Sequence, residues 1–181
     1  MNNAKEIQEQ YRQYRDTLYH EYPQAARFEQ SKRRFAQILM LLCFALHLSF
    51  FYQTGSASGG VTGYEILRTV TAAGTEIIFL LAAMGPRRRL APLLYLLALY
   101  RLAYPAGGDR ILPETIAALS ETGFGQKPLS TAIAVCSLLY GLLILATAMW
   151  LTLVPKNKTA AEESEQLFLK LQQFMKEHPV K

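Results

Sequence analysis

Five polar side chains stand inside otherwise apolar stretches of this chain: His47, Glu65, Arg68, Glu76 and Arg101. A charge inside a membrane span is expensive, so it faces a partner or a cavity and marks an ion path, a proton relay or a structural pair. A carboxylate can titrate, a guanidinium can hold it or another anion, and an imidazole can hydrogen-bond or pass a proton. The closed alternative is a paired set. Glu65, Arg68, Glu76 and Arg101 sum to zero charge, and buried charges need partners.

Spacing sorts these residues. On one helix, Glu65, Arg68, Thr69, Ala72, Glu76 and Ala83 fall on a single face. That face is polar or small and is expected to turn toward other helices rather than lipid. Helical rise places Glu76 about 12 Å from the inner boundary, Arg101 about 16, His47 about 18, Arg68 about 24 and Glu65 about 28. Glu76 and Arg101 are therefore the expected buried pair. Glu65 and Arg68 are expected at the outer interface, and His47 as a neutral histidine bonded to a neighbouring helix.

The elements that would position these groups are four apolar runs: Phe35–Gln53, Tyr64–Met84, Leu90–Tyr104 and Thr131–Val154. A hydrocarbon core about 30 Å thick needs a helix of about 20 residues. The third run is short and reaches that length only by extending over 88–106, with Pro92 in its first turn, where a missing N–H costs little. The expectation is an all-α integral membrane protein with four transmembrane helices at about 35–53, 64–84, 88–106 and 131–154. That domain, 35–154, lies between a cytosolic amphipathic segment, 1–34, and a cytosolic C-terminal helix, 155–181. The polar lead is too long for the n-region of a signal peptide, and the first run reads as a signal anchor.

Basic residues set the orientation. Of the 19 Lys and Arg, 15 lie in 1–34, 85–89 and 155–181, against two in 54–63 and 105–130 together. The positive-inside rule then puts both termini in the cytoplasm, with the cell membrane as the expected location. The net charge of +5 follows from topology, and no nucleic-acid motif accompanies it. Arg87, Arg88 and Arg89 fix the inner loop and offer contact to anionic lipid. Tyr52, Tyr64 and Tyr104 fit an outer interfacial belt.

Both tails read as amphipathic helices. Ile7, Tyr11, Tyr14 and Leu18 repeat at four-three-four spacing, as do Leu167, Leu171, Phe174 and His178, each forming one helical face. The two faces are expected to pack together or to bind a protein partner or a second copy. Asn3 with Glu6 and Thr159 with Glu162 have the spacing of capping boxes. Pro23 is expected to end or kink the first helix. Residues 113–122 read as a short outer interfacial helix with Gly123 as its C-cap, and Ser137 with Gly141 as a small-residue packing pair.

Other chemistry finds little support. Cys43 and Cys136 would lie about 12 and 27 Å deep, too far apart for a disulfide, and there is no CxxC. His20 and His178 fall in the tails, so His47 has no ligand partners at metal spacing. No HExxH, GxSxG, Walker A or GxGxxG sequence occurs, so neither enzyme, metal nor cofactor is expected. A lone intramembrane glutamate among four spans resembles the small four-helix multidrug exporters in architecture alone, since Glu76 sits in the second span and the flanking pattern differs. The expected role is a non-enzymatic accessory or assembly subunit that docks a partner through its cytosolic helices. The alternative is a small proton-linked transporter or channel using Glu76 and Arg101.

Overall fold

Proline and glycine punctuate this chain into helices. The computed structural model describes residues 2–58, 60–85, 88–105, 113–114, 116–117 and 128–178, and these residues include no strand. The helices are α1 (Asn2–Glu21), α2 (Pro23–Ser58), α3 (Gly63–Ala83), α4 (Leu93–Ala103), α5 (Pro128–Thr152) and α6 (Pro155–Glu177), with a 3₁₀ turn at Arg88–Leu90. Residues 113–114 and 116–117 are also helical. The rest of the expected interfacial helix, including Gly123, lies outside the described residues.

Pro23 breaks α1 from α2, yet the Tyr22 N–H still donates to the Leu18 carbonyl at 2.9 Å. Across the junction, among the described residues, only this bond and the one from the Ala26 N–H to the Tyr22 carbonyl at 3.0 Å are made, so the helix is interrupted there. The α2 helix has 36 residues, about 54 Å at the helical rise, far more than a bilayer core requires. Its first turns therefore stand beyond the apolar run that begins at Phe35.

One expected helix start moves. The α6 helix begins at Pro155 after Val154, which supplies no side-chain cap; Thr159 lies inside the helix rather than at its N-cap. A proline at the first position is already set to helical φ and needs no N–H partner. The side chains of residues 2–5, and with them the Asn3–Glu6 box, lie outside the described set. The capping box occurs instead at α3. There the Thr62 N–H donates to Glu65 Oε2 at 2.8 Å, and Thr62 Oγ1 accepts from the Glu65 N–H at 3.3 Å.

The third apolar run also departs from expectation. Its α-helix has 11 residues, with Pro92 as N-cap and Tyr104 as C-cap, so it does not continue over 88–106. Pro92 disfavours helical geometry at Ala91 before it, and the chain there forms a 3₁₀ turn at Arg88–Leu90 followed by a hydrogen-bonded turn at 91–92. Three stretches are long and apolar enough to cross a membrane: Pro23–Gln53, Gly63–Ala83 and Thr131–Thr152.

Helices α2, α3, α4 and α5 form a ring in which each touches the next and α5 closes on α2. Leu39, Cys43, Leu80, Leu94 and Ile144 fill its centre. Leu41, Leu67, Val70, Ile78, Leu99 and Leu139 point outward and are each more than half exposed. So much apolar surface around one belt marks a membrane or protein contact. Below the ring, α6 packs on α2 and α5, and α1 packs on α2 and α6. Leu18, Leu167 and Leu171 form a second small core with Tyr11 and Tyr14 beside it. Tyr14 stacks on Phe174 at 4.9 Å between ring centres. The two amphipathic faces thus meet each other within one chain.

Candidate functional site

The candidate site is a buried polar cluster where the four ring helices converge. The α3 face delivers Glu76, the first residue of that helix to be buried, followed by Leu80 and Ala83. The α2 helix contributes His47, and α4 contributes Arg101 near its C-terminal end. All three are buried. Arg101 Nε donates to Glu76 Oε1 at 3.0 Å, and Arg101 Nη2 donates to Glu76 Oε2. This two-point grip matches the planar guanidinium to the carboxylate and is the strong form of the pair.

His47 Nε2 lies 3.1 Å from Glu76 Oε2 and 2.7 Å from Arg101 Nη2. One ring nitrogen cannot serve both contacts. Arg101 has only donors, so its bond needs Nε2 without a proton; a bond to Glu76 needs Nε2 protonated. With neutral His47 in the Nδ1–H form, the arginine bond is the one made. Protonation would exchange it for a second bond to the carboxylate.

Close helix packing sets the position of Arg101. Gly141 on α5 faces it, and a Cβ there would lie 3.2 Å from Arg101 Cβ and from Leu102. The glycine of the Ser137–Gly141 pair therefore lets α4 approach α5. The Arg101 guanidinium also lies 5.9 Å from the ring centre of Tyr140, within cation–π range.

Two members escaped the sequence reading, Cys43 and Tyr140. Cys43 is buried one turn before His47, and its sulfur joins ligand atoms of His47 and Glu76 within 4.8 Å of one another. Its i, i+4 spacing to His47 was a legible signal, but only the fold brings Glu76 to complete the trio. These three could hold a metal ion by donor type. Arg101, however, already neutralises Glu76 by two bonds, and a cation would compete with it. Tyr140 and Ser137 on α5 are buried, and among the described residues neither hydroxyl makes a hydrogen bond of ordinary geometry; Tyr140 stands beside Arg101, Cys43 and Glu76. The sequence marked Ser137 only as half of the packing pair with Gly141, and nothing in the spacing marked Tyr140, a residue common on packed apolar helices.

The remaining expected residues lie elsewhere. Glu65 is tied into the α3 cap. Arg68 is exposed, as is Ala72, so the N-terminal half of the polar α3 face is not buried. Among the described residues, α4 ends at Ala103 and leaves that half of α3 without this neighbour. Arg89 is exposed, Arg87 lies outside the described residues, and Arg88 is placed only by its backbone. Cys43 and Cys136 are both free thiols.

A second polar junction ties the tails to the ring. Lys32 donates to Glu29 and to the Gly85 carbonyl at 3.2 Å, while Ser164 of α6 donates to the same Glu29 carboxylate. Trp150 lies between Phe28 and Phe35, with ring centres 5.3 and 5.1 Å away, and Asn157 donates to its carbonyl. No protein family, curated protein or solved structure matches this chain.

Proposed function

We propose that this chain is a four-pass protein of the cell membrane, with both termini in the cytoplasm and a non-catalytic accessory or assembly role. The carrying observation is the closure of the intramembrane charges on one another. Glu76 is held at both oxygens by Arg101, touched by His47 and shut inside four helices. This is the arrangement of a pair that fixes helix positions. The basic residues clustered in alternate segments support the orientation. The place of α4 between α3 and α5 supports a fourth crossing, made by its 11 residues together with the turn before it and local bilayer thinning. The tail helices, clamped together and bonded to the ring, are the surface on which a partner or second copy docks.

The decisive experiment removes one charge at a time. With a structural pair, Glu76→Gln and Arg101→Gln each lower the melting temperature in detergent. The loss corresponds to about 3 kcal/mol, the low end for a broken buried pair. The double variant recovers much of it. A stable Glu76→Gln single variant sinks this reading.

A proton-linked transporter is the second reading. His47 between Glu76 and Arg101, with the buried Tyr140 beside them, favours it. In that case Glu76→Gln keeps its stability and abolishes pH-dependent flux in liposomes.

A further inference from the structure

The faces that α1 and α6 turn toward α2 do not close completely. Between these helices lies a cleft of about 530 Å³, within the size range of small-ligand sites. Its wall carries Arg15, Arg27 and Arg33, with Tyr11 and Tyr19 beside them and Glu29 as its acid. Glu29 is already engaged by Lys32 and Ser164, and Lys32 adds a further positive charge behind it. Arg27 and Arg33 are exposed. Arg15 pairs with Asp16, its neighbour in sequence, where both side chains remain substantially exposed; such pairs are weak and exchange readily. The cleft is therefore a three-arginine pocket, and among its described lining residues no acid is left free to balance it.

Its level along α2 is informative. The apolar run begins at Phe35. By helical rise Arg33 lies about 3 Å below that boundary, and Arg27 about 12 Å. The headgroup layer is about 5–7 Å deep on each side. The upper end of the cleft thus lies among headgroups and its lower end reaches water. Guanidinium groups bind phosphate oxygens in two-point geometry, and the tyrosines add hydroxyl donors. We infer that this cleft binds a phosphate-bearing anion, supplied either by a lipid headgroup or by a soluble phosphate compound. The lipid source rests on the membrane orientation proposed above, while the soluble source does not.

The test uses the full-length protein at 150 mM salt, where diffuse attraction is screened beyond about 8 Å. One arm titrates detergent-solubilised protein with pyrophosphate by calorimetry. The other compares retention of phosphatidylglycerol and phosphatidylcholine by native mass spectrometry after reconstitution in nanodiscs. Arg27→Gln/Arg33→Gln is set against Lys156→Gln/Lys158→Gln, which removes equal charge from exposed positions outside the cleft. Melting temperatures confirm that both variants are folded.

The arginine variant should weaken pyrophosphate binding, or preferential phosphatidylglycerol retention, at least 10-fold. The lysine variant should change either by no more than about twofold. Binding in the pyrophosphate arm identifies a soluble source, and phosphatidylglycerol preference alone a lipid one. Equal loss in both variants, or no binding in either arm, overturns the site. Because the pyrophosphate arm needs no bilayer, its result is independent of the topology.

Discussion

His47 sits where two hydrogen bonds compete for one nitrogen, and this makes the cluster more than a simple pair. Arg101 neutralises Glu76 and lies within hydrogen-bond reach of His47 Nε2, to which it donates when that nitrogen carries no proton. Removing the imidazole in His47→Leu leaves the ion pair intact but deprives the guanidinium of an acceptor. The cost is expected at about 1–3 kcal/mol, read as a lower melting temperature. Tyr140 should behave in the opposite sense. Its buried hydroxyl makes no hydrogen bond of ordinary geometry among the described residues, so Tyr140→Phe should be neutral or stabilising by about 1 kcal/mol. A clear loss of stability in that variant would instead show that the hydroxyl is bonded, to Glu76 or Cys43 beside it or to an ordered water.

At the scale of elements, two contacts decide how the helices meet. The α4–α5 approach depends on Gly141, whose absent side chain leaves room for Arg101 and Leu102. Gly141→Ala should push α4 away and cost about 1–3 kcal/mol, the usual range for overpacking. It should also loosen the grip of Arg101 on Glu76. The tail platform is a separate small unit in which Tyr14 stacks on Phe174. Lys170 of α6 reinforces it by donating to the Tyr22 hydroxyl at 3.0 Å. That bond raises the pKa of Lys170 above the ordinary lysine value, so the contact is fully made below the usual lysine pKa and fades only as pH rises through the raised one. A short helix such as α1 has little stability alone. Tyr14→Ala should therefore expose Arg12 and Arg15 to trypsin while the melting temperature of the ring stays unchanged. If both change together, the platform and ring unfold as one unit.

For the whole molecule, the outward belt of leucine, valine and isoleucine side chains gives a surface suited to lipid, with Glu76 and Arg101 inside the ring and Arg68 exposed on α3. The proposed orientation makes a direct prediction in intact cells. In a background without Cys43 and Cys136, a membrane-impermeant thiol reagent should label Val61→Cys and leave Lys158→Cys unlabelled until the cells are opened. The Asn157-Lys158-Thr159 sequon should stay without glycan in a secretory host, since it would face the cytosol. Efficient modification there would invert the topology.

The sequence by itself determined the helical character, the positions of three long apolar helices and the amphipathic tails, because these depend on local hydrophobic period and charge. Depth along the helices singled out Glu76 and Arg101, since a charge deep in an apolar run has few possible partners. Helix ends were less legible: Pro155 and Pro92 outweighed the patterns around them through backbone restraints of their own. The tertiary structure alone decided that His47 bridges the pair, that Cys43 and Tyr140 join it, and that the N-terminal half of α3 stays open. It also decided that the two tails clasp each other and leave an arginine-lined cleft. Such contacts depend on the rotation and approach of helices distant in sequence. A sequence period gives the face of a helix but not the neighbour it will meet.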